Sequence, residues 1–109
     1  MMKKVVVVGG SGFIGSHVAD YLSEFGYQVT IYDKQRSPWL RADQQMVLGD
    51  VLDVEKLHKT ITGAEVVYNF AALADLNEAI EQPLKTVNIN ILGNLNVMEA
   101  AHAHGGLCH

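Results

Sequence analysis

Gly9, Gly10, Gly12 and Gly15 follow directly on the apolar run Val5–Val8. Four β-branched residues in a row suit a buried strand. From Gly12 onward the pattern suits a helix carrying Phe13, Ile14, Val18, Tyr21, Leu22 and Phe25 on one face. A strand, a glycine turn and a helix in that order can bind phosphate. Glycine lets the backbone approach a pyrophosphate, and the first helical turn presents unpaired N–H groups and a partial positive charge. The spacing fits two patterns: Gly10, Gly12 and Gly15 satisfy G-x-G-x-x-G, while Gly9, Gly12 and Gly15 satisfy the wider G-x-x-G-x-x-G. Asp33 supplies an acid at a suitable distance. It closes the run Gln28–Asp33, in which Val29 and Ile31 alternate with polar neighbours. A carboxylate at the end of a second parallel strand accepts both hydroxyls of an adenosine ribose. The alternative is a tight strand–helix turn with no ligand and a capping Asp; the complete strand–turn–helix–strand context favours the dinucleotide.

These residues depend on the elements that carry them. The first helix is expected to stop near Gly26. After the strand Gln28–Asp33 comes a polar loop, residues 34–43, with Pro38 and Trp39 and room for one helical turn. Gln45–Leu48 reads as a short strand. Asp53 is placed to cap a helix over Val54–Ile61, with Gly63 after it. Ala64–Phe70 reads as the next strand, with Val66, Val67 and Tyr68 inside. A loop over Ala71–Asp75 and a short helix to about Ile80 follow. Pro83 suits the start of a long helix ending near His104. Leu84, Val87, Ile91, Leu95 and Met98 make one stripe of that helix, and Ile89, Leu92 and Val97 lie off it. Strands alternating with helices imply a mainly parallel sheet with right-handed crossovers.

The chain has 109 residues, 49% of them hydrophobic, which suits one domain or part of one. Twelve acids against eight bases give a net charge of −4, and no basic cluster occurs, so a nucleic-acid surface is disfavoured. No apolar run approaches the roughly 18 residues of a membrane span. The opening MMKK and VVVV lead straight into the glycine turn and read as a strand, not a signal peptide. A single cysteine, Cys108, excludes an internal disulfide and points to a reduced, cytoplasmic setting. His102, His104, Cys108 and His109 cluster near the end, but histidines two apart on a helix point in different directions, so no metal site is assigned. Ser16 and His17 read as capping and packing residues, with no third group to orient a nucleophile and base.

The chain resembles the N-terminal part of the extended short-chain dehydrogenase/reductase proteins, and within them the NAD-dependent epimerase/dehydratase group that acts on nucleotide sugars. The resemblance covers about Lys3 to Ala103. It rests on GGSGFIGSH (Gly9–His17), Asp33, GDVLD (Gly49–Asp53), NFAALAD (Asn69–Asp75) and NINILGNLNVMEAA (Asn88–Ala101). It implies an α/β fold, a Rossmann-like parallel sheet with flanking helices, here expected to be cut short after about four strands. It implies that Gly9, Gly12 and Gly15 surround the pyrophosphate, with Phe13 and Ile14 giving backbone amides. It places Asp33 on the adenosine ribose, Asp50 at the adenine amino group, and Val51 against the ring. Phe70, Ala71 and Ala72 line the nicotinamide half, and Asn90, in an Asn-x-x-Gly pattern completed by Gly93, lies near the cofactor. The charge of Asp33 repels a 2′-phosphate and favours NAD over NADP. Lys34, counted with the cofactor-binding set, and Arg36 are cations that act against this preference.

The family's Tyr-x-x-x-Lys pair is missing. The tyrosines are Tyr21, Tyr27, Tyr32 and Tyr68, and four residues on stand Phe25, Arg36 and Ala72, with Ile31 after Tyr27. The Tyr serves as acid/base in the family, so no catalytic residue is assigned. The expected product is a chain that binds the dinucleotide without catalysis, the nucleotide sugar being bound only in a complete enzyme. The competing readings are a non-catalytic dinucleotide-binding module, a truncated remnant, and, within the family, a hydroxysteroid dehydrogenase or reductase. Ala74 stands where some members carry a longer polar side chain. A sheet ending at its fourth strand invites association, so self-association, instability or rescue by another chain is expected, a homodimer through the helix near residues 83–103, by Ile89, Leu92 or Val97, being one form of it.

Overall fold

The computed structural model describes residues 3–70, 94–103 and 107–108. The elements run β1 (Lys4–Val8), α1 (Phe13–Glu24), β2 (Gln28–Asp33), β3 (Gln45–Leu48), α2 (Val54–Ile61), β4 (Val66–Asn69), α3 (Asn94–Ala103) and β5 (Leu107–Cys108). The strands form one sheet in the order β3-β2-β1-β4-β5, with every pairing parallel. The expected parallel sheet with flanking helices is present. The C-terminal residues add a fifth strand to the four expected: Leu107 pairs with Val66 and Cys108 with Val67.

The sheet is covered on both faces, and this explains the unbroken valine run. Val5, Val6, Val7 and Val8 are each at most 1% exposed, as a central parallel strand requires. Alternate residues go to opposite sides. Val7, with Val29 and Ile31 of β2, packs on Ala19 of α1. Val6, Val8 and Tyr32 pack with Leu57 and Ile61 of α2, Val67 of β4, and Val97, Ala100 and Ala101 of α3. Helix α2 begins where expected, with Asp53 Oδ1 accepting from the Lys56 N–H at 3.2 Å.

Two packing expectations fail. Helix α1 does not bury its aromatic face: Phe13, Ile14, Tyr21 and Phe25 are all more than half exposed, and Gly15, Ser16 and Ala19 face the sheet. A helix that starts directly above the glycine turn lies too close to β1 for large side chains, so small residues take the inner positions. The rings stack along the outside instead, Phe13 edge-on to His17 at 4.6 Å and Tyr21 on Phe25 at 4.7 Å. On α3, Val97 is fully buried in the chain's own core and is not available to a dimer interface; Leu95 and Met98 are its large apolar residues that stand exposed. Ile89 and Leu92 lie outside the described residues, as do Pro83, the loop and short helix expected over 71–80, Ala74 and Gly93. The polar loop after β2 contains no helix. It is tied to α1 by Gln44, whose amide donates to Asp20 Oδ1 and Ser23 Oγ at 3.0 and 3.1 Å. Among the described residues no helix is long and apolar enough to cross a membrane.

Candidate functional site

The chain leaves β1 with β2 on one side and β4 on the other, so the glycine turn stands at the point where strand order reverses. Ligands of open α/β sheets bind beyond the carboxyl ends of the strands at such a point. The four glycines there have different duties. Gly9 takes a left-handed φ of 76° and donates its N–H to the Tyr32 carbonyl at 2.8 Å, which starts the turn. Gly10 is buried, and a Cβ on it would lie 2.8 Å from Ile31 Cγ2. It serves packing, so of the two glycine spacings the wider one describes the surface of the turn. Gly15 is where α1 crosses the turn: a Cβ there would lie 2.5 Å from the Gly9 carbonyl oxygen and 2.8 Å from Gly10 Cα.

Gly12 is different. It caps α1 with φ −76° and ψ 174°, angles open to any residue, and it is exposed. A Cβ would meet only the Gly9 oxygen, at 3.7 Å. Nothing in the packing of the described residues asks for glycine here. No side chain caps the helix, so the N–H groups of its first turn, from Phe13 and Ile14 onward, face the space that Gly12 leaves open.

Asp33 borders the same space from β2. Its Oδ2 accepts from the Ser11 N–H at 3.1 Å and its Oδ1 from the Gln35 N–H at 3.4 Å. Two oxygens with about four lone-pair sites retain capacity for further donors. Ser11 adds a second tie by donating its hydroxyl to the Gln35 carbonyl at 2.6 Å. Lys34 follows, exposed. Arg41 of the same loop is engaged with Asp43 and Glu24 at 3.3 and 3.6 Å, and Trp39 is 53% exposed.

The loop after β3 stands beside Asp33, because the Gly49 N–H donates to the Asp33 carbonyl at 2.9 Å. Asp50 Oδ1 accepts from the Leu52 N–H at 3.0 Å. Val51 is 7% exposed and belongs to the α2-side core, so little of its side chain remains for a ligand. Phe70, just past β4, donates its N–H to the Val8 carbonyl at 2.7 Å and packs half-buried on the α1-side cluster. Gly9, Gly12, Phe13, Ile14, Gly15, Asp33, Lys34 and Asp50 thus converge on one end of the sheet. Ala71, Ala72 and Asn90 lie outside the described residues. Among those described, no group of three His, Cys, Asp or Glu is placed to hold a metal.

Sequence reasoning passed over Ser11, Tyr32 and Asn96. Ser11 sits inside the glycine run, where its neighbours drew the attention. Asn96 donates to the Val51 carbonyl at 3.0 Å, and an asparagine on an apolar helix was its signal. Tyr32 is fully buried, with its hydroxyl donating to the Asp50 carbonyl at 2.7 Å. Burial, and next the charges of Asp53 and Asp50, push its pKa from 10.0 up to about 12. The folded chain therefore holds this proton over a range where the unfolded chain has lost it. Stability linked to Tyr32 is intact below pH 10 and is lost as pH rises towards 12. In urea titrations the stability advantage of the unaltered chain over Tyr32→Phe should shrink across this window, and an advantage that stays constant contradicts the assignment.

A family model described as the NAD dependent epimerase/dehydratase family matches residues 5–107. The chain is 31% identical over 107 residues to a UDP-N-acetyl-alpha-D-glucosaminuronate decarboxylase of Bacillus cytotoxicus, covering 93% of this chain and 33% of that protein. It is 35% identical over 105 residues to a UDP-glucose 4-epimerase of Corynebacterium glutamicum, covering 94% and 32%. Among solved structures, a UDP-glucose 4-epimerase from Brucella ovis in complex with NAD superposes with a TM-score of 0.84 at 34% identity, over 94% of this chain and 33% of that one. The chain spans about a third of the length of the curated relatives it matches.

Proposed function

The chain belongs to the NAD dependent epimerase/dehydratase family, and from that premise we propose that it forms the adenosine-and-pyrophosphate part of an NAD site serving nucleotide-sugar chemistry. The observation that carries this reading is Gly12, a glycine that the packing of the described residues does not require, set before an uncapped helix N-terminus. A ligand that must approach the backbone gives it a reason. The names of the relatives, sugar nucleotide enzymes with NAD in one solved neighbour, fit the same reading.

The residues divide the work. The amides of Phe13 and Ile14 bind the pyrophosphate oxygens, and Gly9 and Gly15 keep the turn tight enough to present them. Asp33 accepts from the ribose hydroxyls, and its charge disfavours a 2′-phosphate. Asp50 offers a carboxylate oxygen to the adenine amino group. When bound, NAD supplies the hydride acceptor and donor for a sugar carbon. The sequence contains no Tyr-x-x-x-Lys pair, so the proposed role of the 109 residues alone is cofactor binding without turnover. Self-association through α3 belongs to the same proposal, carried now by the exposed Leu95 and Met98.

Calorimetric titration of NAD and NADP into the purified chain is the test. The expected result is saturable NAD binding, with NADP weaker. Absence of NAD heat in a sample with a cooperative melting transition overturns the proposal. Epimerisation of UDP-glucose by these residues alone overturns the assignment of binding without turnover.

A further inference from the structure

Tyr32 and Asp33 are consecutive on β2 and point to opposite sides of the sheet. Asp33 meets the glycine turn. Tyr32 enters the α2-side core and reaches, from beneath, the same end of the sheet. Its hydroxyl donates to the Asp50 carbonyl at 2.7 Å, and that carbonyl also accepts from the Asp53 N–H at 3.0 Å. The loop has further ties. Asn96 of α3 donates to the Val51 carbonyl at 3.0 Å, and the Lys56 amine donates to the Leu48 carbonyl at 3.0 Å. Gly49 is shaped to the phenol: a Cβ there would lie 2.5 Å from Tyr32 Oη and 2.6 Å from Cζ. The ring therefore forms the floor on which the loop rests, and its one polar atom is spent on Asp50, the residue after the Gly49 that meets the Asp33 carbonyl.

We propose that Tyr32 is a positioning residue for the adenine end of the dinucleotide site, its hydroxyl holding the Gly49–Asp53 loop so that the Asp50 carboxylate meets the adenine amino group. The proposal rests on the dinucleotide reading given above. Without the hydroxyl, the Asp50 carbonyl keeps the Asp53 N–H and Gly49 keeps its backbone bond to Asp33, but the loop loses its side-chain anchor to β2 at Asp50 itself. The Asp50 carboxylate is then held less firmly relative to Asp33, through the Gly49 and Leu52 backbone bonds. The phosphate end is untouched, because the glycine turn makes its own bonds to Tyr32 and Asp33 through backbone and carboxylate atoms.

The test compares NAD with nicotinamide hypoxanthine dinucleotide, which lacks the adenine amino group. Both are titrated into the unaltered chain, Tyr32→Phe, and Val29→Ala. Val29→Ala loosens the opposite core and controls for general loss of stability. Loss of one hydrogen bond's net worth predicts that Tyr32→Phe binds NAD about fivefold more weakly. The hypoxanthine analogue should bind Tyr32→Phe as it binds the unaltered chain, so the preference for adenine falls by the same factor. Val29→Ala should keep the preference of the unaltered chain. An unchanged preference in a folded Tyr32→Phe overturns the positioning role and leaves the NAD site standing. Failure of the unaltered chain to bind NAD overturns both.

Discussion

Gly15→Ala should cost the fold roughly 2–3 kcal/mol, as overpacking of a rigid contact does, whereas Gly12→Ala should change stability by no more than about 1 kcal/mol and still abolish tight NAD binding. The two positions are three residues apart in one motif, and their glycines answer to different neighbours. At Gly15 the added methyl meets backbone on the facing turn, 2.5 Å from an oxygen and 2.8 Å from a Cα. No side chain can rotate away, so α1 has to lift from β1 and take Ala19 out of the core. In a domain of this size such a loss is a large share of the total stability. At Gly12 the methyl makes one ordinary contact, 3.7 Å from the Gly9 oxygen, and the backbone angles suit alanine. Only a ligand lying there can object. Urea denaturation and NAD titration of both variants separate the cases. If Gly12→Ala binds NAD as the unaltered chain does, the open space in front of α1 is not where the pyrophosphate lies.

The glycine turn was legible in the residues because the turn, the strand before it and the acid after it are local features. Val5–Val8, the Asp53 cap and the end of β2 at Asp33 fall where the pattern puts them. The face of α1 was not legible. A helical stripe of Phe13, Tyr21 and Phe25 looks like a core face, but close approach above a glycine turn selects for small residues, and a hydrophobicity pattern does not contain that distance. Val97 failed for a related reason: sequence alone does not tell which of two apolar faces of α3 meets the sheet. The role of Gly10 was also open, since two overlapping glycine patterns differ only in which side of the turn each residue takes. Tyr32 was hidden by alternation itself. It stands one residue from Asp33 and so belongs to the other side of the sheet, where a buried phenol looks like ordinary core until its hydroxyl is seen to reach a second loop.

Asp33→Ala should weaken NAD binding by roughly 30- to 100-fold, the equivalent of losing about one hydrogen bond to a charged acceptor. The loss has two sources. The carboxylate no longer accepts from the ribose hydroxyls, and the Ser11 N–H loses the oxygen that holds the glycine turn towards β2 at 3.1 Å. Asp33→Asn separates them. An asparagine oxygen keeps the bond from Ser11 and one acceptor for the ribose, so NAD affinity should fall by only about tenfold or less. Its neutral side chain no longer repels a 2′-phosphate, and exposed Lys34 and Arg36 remain beside it. NADP should therefore bind Asp33→Asn at least as well as it binds the unaltered chain, even as NAD binds less well. The measurement is the ratio of the two dissociation constants by calorimetry, repeated at low and high salt, since a charge-based preference weakens with screening. A ratio that stays the same in Asp33→Asn means that the discrimination is steric and that the carboxylate is only a structural tie between β2 and the turn. A ratio that moves towards NADP, together with the larger loss of NAD affinity in Asp33→Ala, assigns Asp33 both tasks: aligning the turn and reading the ribose.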